Sequence, residues 1–210
     1  MNETKIEYCD RTWNPVTGCR HNCDFCYARK IAKRYGLYGG SFDPQFHPDK
    51  LDEPYKEKKP MVIFVCDMGD IFSPGMKGIW IEQVKLAAMR APWHTYLWLT
   101  KNPQYDETWV RGNWWLGASI TGPSDAYRRE ILSEGNHWYS YEPLFGVPEV
   151  EYLWDAKQVI IGRATRYKAG WCNEWAIQIT DHYQDRVIPV FWKDNIRMIG
   201  PKELAWATNK

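Results

Sequence analysis

Three cysteines crowd into one short stretch, Gly18-Cys19-Arg20-His21-Asn22-Cys23-Asp24-Phe25-Cys26-Tyr27, with the spacing C-x3-C-x2-C. Three thiolates on a tight loop can hold three corners of an iron–sulfur cubane, and most such clusters take four cysteines. With three, one iron stays open to an outside ligand, and an open metal position serves catalysis where a closed one serves structure. The alternative is a zinc ion held by these thiolates with Cys9 or His21. Zinc sites more often carry a second C-x2-C or His pair, and this chain has none.

Other residues able to do chemistry stand where short apolar runs stop. Lys101 follows Leu99-Thr100, Ser119 follows Gly117-Ala118, and Asp67 and Gly69 follow Cys66. Glu142 and Lys193 end two further runs and can serve as substrate contacts, as proton-transfer groups or as a buried ion pair. Cys172 lies in a loop region and is a candidate thiol hydrogen donor, whereas Cys66 reads as an inert buried cysteine. Asp70 is open to two readings, a ligand contact or the cap of the following helix.

The elements that must position these residues alternate in type. Strands are expected at Thr12–Val16, Met61–Cys66, Thr95–Thr100, Trp114–Ile120, Trp138–Tyr141, Val159–Ile161 and Val187–Trp192. Helices are expected at Cys26–Tyr35, Ile79–Arg90, near Ala126–Leu132 and at Trp175–Tyr183, from apolar residues recurring on one helical face. Met61–Cys66 is apolar without a break, as in a strand buried on both faces. Strands alternating with helices imply parallel pairing through crossovers. The expected fold is α/β, a partial (β/α) TIM-like barrel of about six or seven parallel strands, because a closed eight-fold barrel typically needs about 250 residues. An open doubly wound sheet is the other topology, and in both the site lies at the C-terminal ends of the strands. The 210 residues are expected to form one domain, with a Gly-, Pro- and charge-rich excursion at about 36–60.

Composition narrows the function. There are 27 Lys+Arg against 26 Asp+Glu, a net charge of +1, which argues against a domain held to nucleic acid by bulk charge but leaves room for a local basic cleft. No apolar run approaches the roughly 18–20 residues that span a bilayer. The start Met1-Asn2-Glu3-Thr4-Lys5 lacks the apolar centre of a signal peptide, so a cytoplasmic protein without a disulfide framework is expected. The 13 Trp and 13 Tyr point first to an aromatic core and second to a cleft for a flat ligand such as a nucleobase.

The C-x3-C-x-Φ-C pattern, with Phe25 before the third cysteine, follows a first strand and opens a helix, and so resembles the radical S-adenosylmethionine superfamily. The resemblance implies that Cys19, Cys23 and Cys26 hold a [4Fe–4S] cluster. It implies that S-adenosylmethionine binds the fourth iron and is cleaved reductively to methionine and a 5′-deoxyadenosyl radical that takes a substrate hydrogen. Thr12-Trp13-Asn14-Pro15-Val16-Thr17-Gly18-Cys19, Leu99-Thr100-Lys101, Trp115-Leu116-Gly117-Ala118-Ser119, Tyr141-Glu142-Pro143-Leu144 and Val190-Phe191-Trp192-Lys193 are similar to an uncharacterised radical-SAM-like family common in phages and prophages. That family usually carries a Gly-Gly-Glu-Ser-like stretch after its sixth strand, where this chain has Gly162-Arg163-Ala164-Thr165.

A more distant resemblance, to the spore photoproduct lyases, rests on Phe25 and Tyr27 flanking Cys26 and on Lys101 and Ser119. It implies that these four contact S-adenosylmethionine, with Asp67 and Gly69 loosely placed to receive its amino group. With the phage-type resemblance it tilts the substrate toward a nucleic acid or nucleotide, a peptide being the alternative. Because the cleavage needs a low-potential electron and the 210 residues show no second redox domain, a flavodoxin- or ferredoxin-like electron donor is expected. The competing function class is a zinc- or cluster-stabilised nucleic-acid-binding module without catalysis.

Overall fold

The computed structural model describes residues 1–37, 41–125, 135–147, 156–163 and 173–206. The helix expected near 126–132, together with Ala164, Thr165 and Cys172, lies outside them. The structure is mixed α/β, and its eight-stranded sheet is mostly parallel. The chain divides into two compact units, one of residues 1–102, 113–115 and 206–210, the other of 103–112 and 116–205.

The first unit contains β1 (Asn2–Glu3), β2 (Arg11–Trp13), β3 (Val16–Thr17), α1 (Tyr27–Arg34), β4 (Gln45–Phe46), α2 (Glu53–Lys56), β5 (Val62–Val65), α3 (Gly78–Met89) and β6 (Thr95–Thr100), and it includes the first two residues of β7 (Trp114–Ser119). Its strands run in the order β1-β2-β5-β6. β2 pairs parallel with β5 (Trp13 opposite Val65), and β5 pairs parallel with β6 (Phe64 opposite Leu97). All four residues of β5 are buried, as its unbroken apolar run requires of a central parallel strand.

The first strand is shorter than expected. It stops at Trp13, because Asn14 turns its side chain to the loop after β5 and Pro15 has no N–H to give a ladder. Val16 and Thr17 instead form β3, antiparallel to β4. The 36–60 excursion therefore has structure of its own: β4, a 3-10 turn at Pro48–Lys50, and α2.

The second unit holds the rest of β7, then β8 (Asn136–Tyr141), β9 (Gln158–Ile161), α4 (Asn173–Gln184) and β10 (Val190–Trp192). β8 pairs parallel with β9, and β9 with β10. The last strand begins at Val190 rather than Val187, since Val187 takes a left-handed φ of 59° and is 91% exposed. α4 is tied to the sheet by the Tyr183 and Tyr141 hydroxyls, 2.8 Å apart, and by Trp192 Nε1 donating to Thr180 Oγ1 at 2.7 Å.

Eight of the 11 tryptophans among the described residues are buried, so the aromatic wealth goes mainly to the core. Within the first unit Trp98 and Trp114 lie 5.0 Å apart, and Tyr96 contacts both Trp114 and Trp13. Leu97 is fully buried beside this cluster's strand. Leu97→Ala is expected to cost about 2–5 kcal/mol, read as a lower urea midpoint with an unchanged slope.

Candidate metal centre

The cysteine loop begins at Gly18, which follows β3 in the first unit. Gly18 has φ +83°, and a Cβ there would collide with the Asp43 carbonyl. Gly18 N–H donates to Met68 O at 2.9 Å, and a parallel bridge joins Gly18 to Gly69. A Cβ on Gly69 would meet Gly18 O at 2.9 Å. Two backbones thus approach face to face, and only glycine permits it. The loop is also held by Cys19 N–H on Phe42 O at 2.7 Å and by Arg20 Nε on Asp43 Oδ1 at 2.7 Å. The excursion after α1 therefore braces the cysteines.

Cys19, Cys23 and Cys26 are half-buried and form no disulfide. Cys26 is the N-cap of α1, its Sγ accepting Arg29 N–H at 3.4 Å, and Cys26 N–H donates to Cys23 O. Cys19 Sγ accepts His21 N–H at 3.4 Å. Burial pushes the Cys19 thiol up to about 11, with nearby Asp70 and Cys26 adding to the rise and the His21 N–H and Ser73 opposing it. Among the described residues no three His, Cys, Asp or Glu side chains converge as ligands of a single ion. Cys9, a fourth ligand in the zinc alternative, is buried at the N-terminal end of β2, whereas the cysteine loop follows the strand's other end. The thiol set still fits a cluster. Backbone N–H groups aimed at two sulfurs are the hydrogen bonds that stabilise cluster thiolates, and α1 presents its positive end to Cys26.

Asp70 anchors this arrangement. It is buried, and its Oδ1 accepts Phe72 N–H at 3.0 Å and the Thr100 hydroxyl at 2.6 Å. Its Oδ2 accepts Lys101 N–H at 2.9 Å and lies 3.0 Å from His21 Nε2. That imidazole nitrogen is buried, at ion-pair distance, but lacks the alignment of a hydrogen bond. Burial alone would raise the Asp70 pKa; His21, Thr100 and the Lys101 N–H outweigh it and hold the carboxyl below its usual range. The N-cap of α3 is Lys77, so Asp70 is not that helix's cap. Nothing in the sequence pattern flagged His21, Asp70 and Thr100 as one group, since they are far apart along the chain.

Of the residues expected at a cofactor, the first unit brings several to this loop. Lys101 Nζ lies 6.0 Å from the Phe25 ring centre. The Tyr27 hydroxyl donates to Asp67 O at 2.6 Å, although the ring is 52% exposed. Asp67 Oδ1 accepts Asn14 Nδ2, and Met68 N–H donates to Asn14 Oδ1 at 3.0 Å. Burial pushes the Asp67 pKa up, with Asn14 and Thr12 opposing. Asn14, unnoticed in the sequence, thus fixes the segment carrying Asp67 and Gly69. Cys66 is buried with φ 59°, and burial pushes its thiol up, as suits an inert cysteine.

In the second unit Ser119 is buried at the end of β7. Glu142 and Lys193 meet there as an ion pair, Nζ to Oε1 at 2.7 Å. Asn195 joins them, donating to Arg163 O at 2.7 Å and accepting Arg163 N–H at 3.0 Å. Gly162 is what lets them meet, because a Cβ there would sit 2.8 Å from Glu142 Cδ and 2.9 Å from Lys193 Cδ.

A depressed carboxyl gives a signed expectation. The Asp70 contribution to stability is present above the unfolded carboxyl pKa of about 3.9 and is lost as pH falls below that toward the lower folded value. Asp70→Asn should flatten the acid limb of a stability–pH profile below about pH 4. An unchanged limb would separate Asp70 from the stability of the loop.

Comparison with known proteins agrees with this geometry at the level of fold. One solved structure, "Spore photoproduct lyase complexed with dinucleoside spore photoproduct", matches with a TM-score of 0.51 and 11% sequence identity. The match covers 87% of this chain and 63% of that one, so the chain spans less than two thirds of the lyase's length. No curated protein matches. A family model described as "Protein of unknown function (DUF5131)" matches residues 3–200, nearly the whole chain, and the protein belongs to that family.

Proposed function

We propose that the protein is a radical S-adenosylmethionine enzyme built on a partial (β/α) barrel. The observation that carries this reading is the C-x3-C-x2-C loop after β2 and β3, tied to the segment after β5 by Gly18 N–H on Met68 O and Arg20 N–H on the Ser73 hydroxyl, with backbone N–H groups directed at Cys19 and Cys26. The fold shared with spore photoproduct lyase supports it. Cys19, Cys23 and Cys26 would hold a [4Fe–4S] cluster. With S-adenosylmethionine bound, that cluster supplies the electron that breaks the sulfonium bond and yields a 5′-deoxyadenosyl radical able to abstract a substrate hydrogen.

The chain's own residues bind and orient. Lys101 offers an ammonium beside Phe25 to the methionine carboxylate, and charge-assisted pairs of this kind are short and strong. Phe25 offers ring surface to the adenine, and Tyr27, through its hydroxyl on Asp67 O, holds the segment that carries Asp67 and Gly69. Gly69 lets the segment after β5 lie against the cysteine loop, and Asp67 gives the amino group an acceptor. Ser119 is assigned to the ribose or carboxylate. Glu142 and Lys193 are assigned to substrate contact and proton transfer, with Cys172 as the thiol hydrogen donor. The dinucleoside photoproduct named in the lyase structure favours a nucleic acid or nucleotide as substrate. A separate flavodoxin- or ferredoxin-like protein would supply the low-potential electron.

Two measurements test this. In anaerobically reconstituted protein, Cys23→Ala is expected to lose its iron and visible absorbance, whereas Cys66→Ala keeps both; full iron in Cys23→Ala would refute the cluster assignment. Lys101→Ala should keep its iron but bind S-adenosylmethionine about one to two decades more weakly, since a charge-assisted hydrogen bond contributes about 1.5–3 kcal/mol. Lys101→Arg should recover part of the loss, its fork being shaped differently from an ammonium. Unchanged affinity in Lys101→Ala would remove this lysine from the site.

A further inference from the structure

Helix α1, which Cys26 caps, buries only Ala28 and Ala32. Tyr27, Ile31 and Tyr35 follow one another at i, i+4 and i+8, and they are 52%, 38% and 65% exposed. One side of the helix therefore presents a continuous apolar stripe to solvent. Arg34 and Lys30 border one side of that stripe, Lys33 lies on the far side of the helix, and all three are exposed. α1 contains no acidic residue, and none of these three has a carboxylate partner among the described residues. In a chain of net charge +1, this is a local concentration of positive charge around apolar surface, starting at a cysteine of the candidate centre.

We propose that the exposed face of α1 is the docking surface for an acidic one-electron donor protein. The proposal rests on the radical S-adenosylmethionine reading. Transient redox complexes bury small interfaces, with apolar contact at the middle and a charged rim. A basic rim steers an acidic partner and orients it on encounter. A second copy of this chain is a poor occupant, because an isologous contact would oppose one basic face to another. A nucleic acid strand fits less well. Ile31, an aliphatic residue, occupies the middle of the stripe where a base-stacking platform needs a ring, and the Tyr27 hydroxyl is tied to Asp67 O. In the step served by this contact one electron leaves the donor, which is oxidised by one equivalent. S-adenosylmethionine takes up that electron as its sulfonium carbon–sulfur bond breaks.

The experiment compares wild type with the triple variant Lys30→Glu/Lys33→Glu/Arg34→Glu, using flavodoxin, an acidic flavin protein, as the donor. Oxidised flavodoxin is titrated into each protein by calorimetry at low and at high salt. S-adenosylmethionine cleavage is then measured with reduced flavodoxin and, separately, with dithionite. The charge reversals are expected to weaken flavodoxin binding at least tenfold at low salt and to slow flavodoxin-driven cleavage by a similar factor. Iron content, helicity and dithionite-driven cleavage should be unchanged. Since glutamates near a helix C-terminus can loosen it, Lys30→Gln/Lys33→Gln/Arg34→Gln and the salt dependence of wild-type binding should give the same direction. Unchanged flavodoxin binding and flavodoxin-driven cleavage in both variants would overturn the docking surface while leaving the enzyme reading intact. Loss of single-stranded oligonucleotide binding, with donor-driven cleavage unaffected, would reassign the face to nucleic acid. Absence of dithionite-driven cleavage in iron-replete wild type would instead overturn the enzyme reading, and the docking surface with it.

Discussion

A carboxylate removed from water is costly unless its lone pairs are met by donors, and Asp70 is the buried carboxylate on which the first unit's loops depend. Its two oxygens receive the Phe72 N–H from its own loop and the Thr100 hydroxyl and Lys101 N–H from the end of β6; His21 of the cysteine loop stands 3.0 Å away. Two segments distant in sequence are thereby fixed to one charge, and moving either exposes or orphans it. The cysteine loop is tied to the same stretch by Gly18 N–H on Met68 O and Arg20 N–H on the Ser73 hydroxyl.

Glycines make the arrangement dense. Gly18 and Gly69 bring two chain segments into backbone contact, and the carbonyls of Phe42 and Asp43 close over the other side. The long excursion after α1 is thus a brace, which gives a physical account of why a compact unit spends so many residues there. The electrostatics complement the geometry. Burial and the negative charge of Asp70 push the Cys19 thiol up. The Cys26 sulfur differs in accepting its N–H from the first turn of the helix that it caps.

The second unit follows a related logic with different groups. Glu142, Lys193 and Asn195 come from segments that follow β8 and β10, and they meet because Gly162 after β9 has no side chain. One carboxylate oxygen is engaged by the lysine, and the asparagine is spent on the Arg163 backbone. Such a half-buried pair is oriented rather than floating, which is the property a contact or proton-transfer group needs.

The sequence by itself determined the secondary periodicity and the crowding of three cysteines into one loop. The apolar run at Val62–Val65 and the one-sided burial of α1 at Ala28 and Ala32 are local signals, because burial on both faces and burial on one face each leave a mark within a few residues. The end of the first strand at Trp13 was not legible, since it depends on Asn14 finding Asp67 and Met68 across the fold. Nor was the strand pair inside the excursion, whose two-residue partners carry too little pattern to read. Only the tertiary structure decided that Asp70 is an anchor rather than a helix cap, that Cys9 lies at the wrong end of β2 to join the cysteine loop, and that Glu142 pairs with Lys193. These facts depend on contacts between residues dozens of positions apart. Periodicity records which side of a strand or helix is buried, but not which buried group it will meet.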